Sequence, residues 1–416
     1  MDESQTGEQD RGETTTALTR VVLGVTGGIA AYKAAELVRL LVKDGVVVDV
    51  ILTDAGARFV TATTFQALSG RPVLTDLWQS GADNAMGHIA ISRGADAIVV
   101  APATADFIRK LAHGAADDLL STLCLARECP LLVAPAMNRQ MWWNAATQRN
   151  VAQLVADGIA ILGPDTGELA CNENGEGRML EAAQIHAAIV ASRQPKTLKG
   201  KRVLMTAGPT FEAIDPVRGI TNSSSGKMGF AIARAAAEAG ATVTMVAGPT
   251  SLATPADVTR IDVTSTAQMA DAVMAHVAHA DIFIGVAAAA DYTPSNVNAQ
   301  KIKKANDPLT IKLVPTTDIL ATVAARKNPP FCVGFAAESQ DVARLAEEKR
   351  RRKHVPLIVA NRAQDALGSE MNEVTLIDEA GAHPLPKLDK LALARRLVDE
   401  IAKRLAAHDP IDSTVR

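Results

Sequence analysis

The chain is 416 residues long, enough for two domains with full cores. It is 48% hydrophobic and 21% charged but only 3% aromatic, so its cores must be built from Ala, Val, Leu and Ile. A net charge of -3 gives no general reason to bind nucleic acid or an anionic membrane, and no apolar run reaches the roughly 18 residues that span a bilayer.

The first 19 residues, MDESQTGEQDRGETTTALT, are polar and acidic and read as a disordered tail. They lack the basic start and apolar stretch of a signal peptide, so a cytoplasmic location is expected. Short β runs then alternate with helical patterns, which predicts α/β architecture with parallel sheets covered on both faces. In the first half the strands fall at 21–25, 46–53, 95–103, 130–136 and 158–164, with an amphipathic helix at 34–45. Residues 191–200, ASRQPKTLKG, are polar and basic and read as a linker. A second series of strands follows at 201–209, 241–249, 281–290, 309–315, 331–338, 356–361 and 373–378, and an amphipathic helix at 388–405 closes the chain. The organisation is therefore a tail (1–19), a first domain (20–190), a linker (191–200) and a second domain (201–416). Four scattered cysteines (Cys124, Cys129, Cys171, Cys332) make neither a disulfide framework nor a zinc site, and any one of them could be a catalytic thiol.

Several stretches of the first half carry chemistry. GVTGGIAAYK (24–33) runs from a strand through a glycine turn into a helix, where backbone N–H groups can hold a phosphate. Its glycines fall at 24, 27 and 28, which is not G-x-G-x-x-G, so it reads as a single-phosphate cradle or a plain tight turn. APATADF (101–107) and APAMNRQMWW (134–143) follow strands and lie on the carboxyl edge of the sheet, where ligands of open α/β sheets bind. Trp142 and Trp143 read as a helix start packed on the core or on a neighbouring subunit. Asn138 sits at a helix cap, where its amide either caps the helix or binds a carboxylate. His88 reads as a structural histidine or a catalytic one, and Cys171 lies in a glycine-rich, lid-like loop.

Together GVTGGIAAYK, His88, PATAD, PAMNRQMW and the Cys171 loop resemble the flavin-dependent cysteine decarboxylases that act on 4'-phosphopantothenoylcysteine. The resemblance implies a flavodoxin-like FMN-binding domain, with FMN held at Gly27, Gly28, Ile29, Thr53 and Thr104. It also implies a chemical logic. A simple cysteinyl carboxylate has no electron sink for loss of CO2. Oxidation of its CH2–SH to a thioaldehyde, with FMN as acceptor, supplies one, and the enethiolate left after CO2 departs is then reduced. By resemblance Asn138 holds the substrate carboxylate, His88 serves oxidation and decarboxylation, and Cys171 donates the proton in the reduction.

In the second half, GPTFEAIDPVRGITNSSSGKMGFAIARAAAEAG (208–240) is the most specific stretch. A strand ends in Gly-Pro-Thr, a polar loop carries Arg218 and Asn222, and SSSGKMG opens a helix suited to phosphate. AAAADY (287–292) reads as the end of an apolar strand carrying Asp291, and KIKK (301–304) and KRRRK (349–353) are basic runs of the kind that usually form solvated faces. The set DPVRGITNSSSGKMG, AAAADY, KIKK and VGFAAE resembles the bacterial phosphopantothenate–cysteine ligases. The two halves in this order resemble the bifunctional enzymes of coenzyme A biosynthesis over roughly residues 20–405. That implies a Rossmann-like CTP-binding ligase domain using Mg2+, with an acyl-cytidylate intermediate. By resemblance Asn222 holds the acyl-cytidylate, Arg218 supports that loop and Lys301 serves activation. Gly285, Val286, Ala287, Asp291, Thr317, Asp318, Ile319, Leu320, Phe335, Lys349 and Lys353 line the CTP site, and the metal ligands stay unassigned. The substrates implied are 4'-phosphopantothenate, cysteine and CTP, with no nucleic acid or membrane partner. A homo-oligomer is expected, a trimer-based decarboxylase shell with ligase dimers.

Two other readings compete. A two-domain NAD(P) oxidoreductase needs G-x-G-x-x-G and an acid at the next strand end, but the glycines are misplaced and that strand ends in Thr53. A flavin-binding regulatory protein would need neither Cys171 nor the second half.

Overall fold

A computed structural model gives the fold and describes residues 18–76, 91–168, 174–303, 309–338, 340–362 and 369–408. The chain divides into two compact units, Met1–Gln194 and Pro195–Arg416.

In the first unit β1 (Arg20–Val25), β2 (Val47–Leu52), β3 (Ala97–Ala103), β4 (Leu131–Pro135) and β5 (Ala160–Ile161) form a parallel sheet in the order β2-β1-β3-β4-β5. The strands are near-continuous runs of Val, Ile, Leu and Ala because helices cover both faces, and every residue of β3 is buried. On one face the helices Ala31–Lys43 and Ala182–Ser192 pack Leu37, Leu41, Ile185 and Ile189 over Val21, Leu23 and Val99. On the other, Ala105–Ala112, Leu119–Leu125 and Ala145–Ala156 pack Ile108, Leu120, Leu123 and Leu154 over Val22, Ile98 and Val133. The order 2-1-3-4-5 is flavodoxin-like and places the topological switch point between β1 and β3.

The glycine-rich stretch around Cys171 carries more order than its composition suggests. β6 (Asp165–Glu168) and β7 (Asn174–Arg178) form an antiparallel hairpin outside the sheet. Residues 169–173 between them, and with them Cys171, lie outside the described residues, as does His88. Thr19, at the end of the stretch read as a tail, donates its N–H and hydroxyl to Asp96 at 2.6 and 2.7 Å. The helix Ala182–Ser192 runs into the stretch read as a linker, and Leu198 within that stretch is buried in the core of the second unit.

The second unit opens with β8 (Arg202–Ala207), followed by a small antiparallel hairpin of β9 (Phe211–Ala213) and β10 (Gly219–Thr221). Next come β11 (Thr242–Ala247), β12 (Val258–Asp262) and β13 (Ile282–Gly285). β14 (Tyr292–Pro294) pairs with β15 (Leu313–Pro315), and β16 (Phe331–Glu338) and β17 (Leu357–Arg362) complete the parallel set. The chain ends with β18 (Met371–Asn372), β19 (Thr375–Asp378), β20 (Gly381–Pro384), β21 (Leu388–Asp389) and the helix Lys390–His408. The main sheet has the order β12-β11-β8-β13-β16-β17-β19-β20. Its first six strands are parallel and follow the Rossmann order 3-2-1-4-5-6, so the switch point lies between β8 and β13. β19 and β20 add an antiparallel edge, which makes the sheet mixed.

Two sequence expectations change here. The apolar run 281–290 is a strand only to Gly285. Beyond it the alanines turn over the end of β8. Ala287 N–H donates to Thr206 Oγ1 at 3.2 Å, Ala288 N–H to Gly208 O at 3.0 Å and Ala290 N–H to Thr210 Oγ1 at 2.9 Å. The hydroxyls of Thr206, in β8, and Thr210, beyond it, thus take N–H groups that a longer strand would give to its neighbour, a competition that hydropathy does not register. The run 309–315 is strand only over Leu313–Pro315, and it pairs with β14 in a two-stranded arm rather than joining the sheet. Among the described residues no helix is long and apolar enough to cross a membrane.

Candidate functional site

At the switch point of the first sheet lies a cleft of about 650 Å3. Its walls include Thr26, Gly27, Thr53 and Thr104, on the turns that leave β1, β2 and β3. Each threonine is fixed by its own hydrogen bonds. Thr26, buried, donates to Pro102 O at 2.7 Å and accepts from Thr104 N–H at 3.1 Å, tying the two diverging turns together. Thr53 caps the helix Asp54–Ala57, accepting from Gly56 N–H at 3.1 Å, and donates to Val25 O at 3.2 Å. Thr104 caps the helix Ala105–Ala112, accepting from Phe107 N–H at 3.2 Å. Gly27 is required because a Cβ there would come 2.7 Å from that of Ala55.

Gly28 and Ile29 stand beside this wall rather than in it. Gly28 has φ +148° with open space where a Cβ would point, and Ile29 is exposed. The helix they lead into, Ala31–Lys43, has no side-chain cap; its Ala31 and Lys33 N–H groups donate to Gly28 O and Ala30 O, both at 3.0 Å. The lining also carries acids, among them Asp54, Asp106, Asp117 and Asp118, together with Lys110. Lys110 pairs with Asp118 at 2.7 Å and Asp117 at 2.9 Å, and the Asp118 bond raises its pKa above the ordinary lysine value. Neither Thr26 nor Lys110 stood out from the sequence.

Asn138 lies outside that wall, at the end of β4. Its Oδ1 accepts from Met141 N–H at 2.8 Å and caps the short helix Arg139–Trp142, while its Nδ2 has no partner among the described residues. One half of the amide therefore caps and the other half is left for a ligand. Trp142 is buried and Trp143 is exposed, so the paired indoles divide between core and surface. The loop is braced by β7, because Met137 N–H donates to Gly177 O at 3.0 Å.

The second cleft, about 430 Å3, sits at the switch point of the second sheet. All eleven residues placed by resemblance at the nucleotide site line it: Gly285 at the end of β13, Val286, Ala287 and Asp291 from the turn after it, Thr317, Asp318, Ile319 and Leu320 at the start of the helix Ile319–Ala324, Phe335 on β16, and Lys349 and Lys353 on the helix Val342–Lys353. They are scattered over 69 positions of sequence, and the sheet order brings them together. Gly226 opens the helix Lys227–Glu238 with φ +76° and no side-chain cap, and Ser224, Ser225, Gly226 and Lys227 form the opposite wall with Asn361, Asn372 and Lys390.

The charges of this cleft are partly neutralised. Lys353 pairs with Asp318 at 2.8 Å, and Lys227 with Glu370. Burial works against the Asp318 carboxylate, but Lys353 and the Ala321 N–H hold its pKa below the ordinary value. Burial, and then the neighbouring Lys353, push the pKa of Lys349 down. Its Nζ donates to Phe335 O at 2.8 Å. An incoming polyanion would relieve that cost.

Asn222, Arg218 and Lys301 stand at the margin rather than in the wall. Asn222 Nδ2 donates to Ala288 O at 2.9 Å and Ala289 O at 3.3 Å, fixing the alanine turn. Arg218 donates to Ile302 O at 2.6 Å, beside Lys301, which is exposed. Among the described residues no group of three or more His, Cys, Asp or Glu could hold a metal ion.

Residues 10–194 match the flavoprotein family, and residues 198–405 match the DNA/pantothenate metabolism flavoprotein C-terminal domain. Over 392 residues the chain is 50% identical to the coenzyme A biosynthesis bifunctional protein CoaBC of Vibrio cholerae, covering 93% of this chain and 98% of that one. It is 48% identical over 393 residues to the protein of the same name from Escherichia coli, covering 92% and 97%. A crystal structure of the C-terminal domain of a CoaBC protein is 41% identical over 51% of this chain and 99% of that one, with a TM-score of 0.45. With half its residues identical over nearly the whole of both chains, this chain belongs to the CoaBC family of bifunctional coenzyme A biosynthesis proteins.

Proposed function

We propose that the two clefts perform consecutive steps. The chain is a bifunctional enzyme, with phosphopantothenoylcysteine decarboxylase in its first unit and phosphopantothenate–cysteine ligase in its second. The observation that carries the ligase assignment is the gathering of eleven motif residues around one cleft at a Rossmann switch point.

In the ligase, the 4'-phosphopantothenate carboxylate attacks the α-phosphate of CTP, pyrophosphate leaves, and the amine of cysteine then displaces CMP from the acyl-cytidylate. Lys349 and Lys353 supply positive charge on one side of the cleft, and the uncapped start of the helix Lys227–Glu238 supplies N–H donors on the other. Lys301 neutralises charge as pyrophosphate departs. Asn222 holds the acyl-cytidylate from the margin while its amide fixes the alanine turn. Mg2+ bound to CTP would offset the triphosphate charge, and Asp291 and Asp318 are carboxylates of the cleft lining that would face it.

In the decarboxylase, the residues present fit FMN. Gly28 is open where a Cβ would point, the helix start behind it is uncapped, and the capping threonines ring the switch point. Gly27, Gly28 and Ile29 would hold its phosphate, and Thr53 and Thr104 would face it from the ends of β2 and β3. Bound FMN supplies a reversible two-electron acceptor. The Asn138 Nδ2 orients the substrate carboxylate, His88 assists oxidation and decarboxylation, and Cys171 donates the proton that completes reduction. A trimer-based shell of first units with dimers of second units is the assembly proposed.

The two activities are separable by assay. Pyrophosphate should appear from CTP and 4'-phosphopantothenate before cysteine is added. CO2 should appear from synthetic 4'-phosphopantothenoylcysteine without CTP. Absence of the first sinks the ligase assignment, and absence of the second from FMN-loaded protein sinks the decarboxylase.

A further inference from the structure

The sequence singled out Arg218 and Lys301, and the structure joins them through a residue that drew no notice. Asp215 lies in the turn of the β9–β10 hairpin and its side chain is fully buried. Five donors converge on it. Oδ1 accepts from the N–H groups of Val217 at 2.8 Å and Arg218 at 2.9 Å. Oδ2 accepts from Arg218 Nε at 3.0 Å and Nη2 at 2.6 Å, and from Ile302 N–H at 3.1 Å. A carboxylate so surrounded stays ionised. Burial opposes the charge, yet Arg218 and the backbone donors hold its pKa far below the ordinary value.

The important partner is Ile302. Its N–H goes to Asp215 and its C=O accepts from Arg218 Nη2 at 2.6 Å. The N–H belongs to the peptide group that joins Lys301 to Ile302, and the C=O to the group that joins Ile302 to Lys303. The Asp215–Arg218 pair therefore clasps both peptide planes that follow Lys301. A further bond, Asn298 N–H to Ile214 O at 3.0 Å, lays the same segment along the hairpin turn. The other end of the hairpin is anchored too. Thr221 Oγ1 donates to Thr210 O at 2.7 Å, and the next residue, Asn222, holds the alanine turn of the cleft.

We infer that Asp215 is a positioning residue for the ligase: it fixes the backbone that carries Lys301, and through the β9–β10 hairpin sets it relative to Asn222. The inference rests on the reading of Lys301 as the activation lysine. It asks more of Asp215 than turn formation. An aspartate before proline is an ordinary turn residue, and turn formation alone needs Oδ1 and not the bonds that Oδ2 makes with Arg218 and Ile302.

Asp215→Asn keeps the shape but turns an amide NH2 toward donors. The test compares the full-length parent, Lys301→Gln, Asp215→Asn and the double variant, all loaded with FMN. The readouts are pyrophosphate release from CTP with 4'-phosphopantothenate, and CO2 release from supplied 4'-phosphopantothenoylcysteine. Lys301→Gln should lower the maximal rate of pyrophosphate release on the order of 100-fold. Asp215→Asn should lower it about tenfold or more, with KM for CTP within about twofold, since a misplaced group costs rate more than ground-state binding. The double variant should be no slower than Lys301→Gln, because Asp215 acts through that lysine. CO2 release should match the parent throughout. Multiplying losses in the double variant would overturn the inference, as would a parent-like rate for Asp215→Asn beside a disabled Lys301→Gln. A parent-like Lys301→Gln overturns the reading of Lys301 itself, and the inference with it. Should Asp215→Asn fail to fold, Arg218→Lys serves, since it keeps the charge but loses the forked clasp on Asp215 and Ile302. Arg218→Lys must then show the same rate loss and the same non-additivity with Lys301→Gln, and independent losses would overturn the inference.

Discussion

Replacing Gly177 by alanine tests how β7 braces the decarboxylase. Gly177 has φ +137°, which L side chains rarely adopt, and a Cβ there would come 2.3 Å from Met137 O. The lower limit for real Cβ contacts is 3.0 Å, so β7 must retreat by about 0.7 Å. That retreat weakens the Met137 N–H bond to Gly177 O, which is 3.0 Å long. Losing one such bond costs about 1 kcal/mol, and holding alanine at this φ costs roughly 1–3 kcal/mol. The local cost is thus about 2–4 kcal/mol, enough to detach β7 from the Met137–Asn138 loop without unfolding a domain of this size. Asn138 follows Met137 directly, so the amide proposed to hold the substrate carboxylate loses its register. A shift approaching 1 Å costs up to about 100-fold in rate. The assay is CO2 release from 4'-phosphopantothenoylcysteine, with CTP-dependent pyrophosphate release as the control within the same chain. CO2 release should fall at least about tenfold while pyrophosphate release is unchanged. A decarboxylase rate within about twofold of the parent would refute the brace.

If the thiol serves only the final protonation, as proposed, Cys171→Ser should release CO2 yet yield no 4'-phosphopantetheine; a normal product yield removes that role. Burial pushes the thiols of Cys124 and Cys332 up to about 12, so both should resist iodoacetamide at about pH 8 in the native protein. Rapid labelling of either, read by peptide mass spectrometry, contradicts their burial. Lys349 has a lowered pKa, so between that value and the ordinary 10.5 the free protein carries less than a full charge there. If CTP meets Lys349 as proposed it restores the ammonium, and binding should take up protons in this window, seen as a binding enthalpy that comes to vary with buffer as the pH is raised toward 10.5. Lys349→Met should abolish the variation, and a buffer-independent enthalpy in the parent counts against contact between Lys349 and the triphosphate.

What the sequence disclosed followed from local pattern. Strands such as 331–338 stood out because the run is apolar up to Glu338 and residues 331–334 are buried on both faces. The walls of the second cleft were legible only through the resemblance to the ligases, since by pattern alone 281–290 read as strand and 349–353 as a solvated face. Non-local facts were not legible. Ala287–Ala290 looked like strand because alanine says nothing of the hydroxyls of Thr206 and Thr210 that draw the backbone away. The β6–β7 hairpin hid behind its own glycines, although Gly177 is there to let β7 approach Met137. Asp215 drew no notice because Ile302, its distant partner, lies 87 residues on. Lys390 gave no signal, since only the packing of the helix Lys227–Glu238 against the helix Lys390–His408 brings it to the cleft that the SSSGKMG motif lines.

The central claim is that one chain performs both reactions in order. The direct measurement is mass spectrometry of the full-length, FMN-loaded protein with 4'-phosphopantothenate, cysteine, CTP and Mg2+. The account requires 4'-phosphopantetheine, CO2, CMP and pyrophosphate in equal amounts. It also requires that withholding CTP stop all four products, and that supplied 4'-phosphopantothenoylcysteine restore the first two. Formation of CDP and phosphate in place of CMP and pyrophosphate would contradict it, as would accumulation of 4'-phosphopantothenoylcysteine with no CO2.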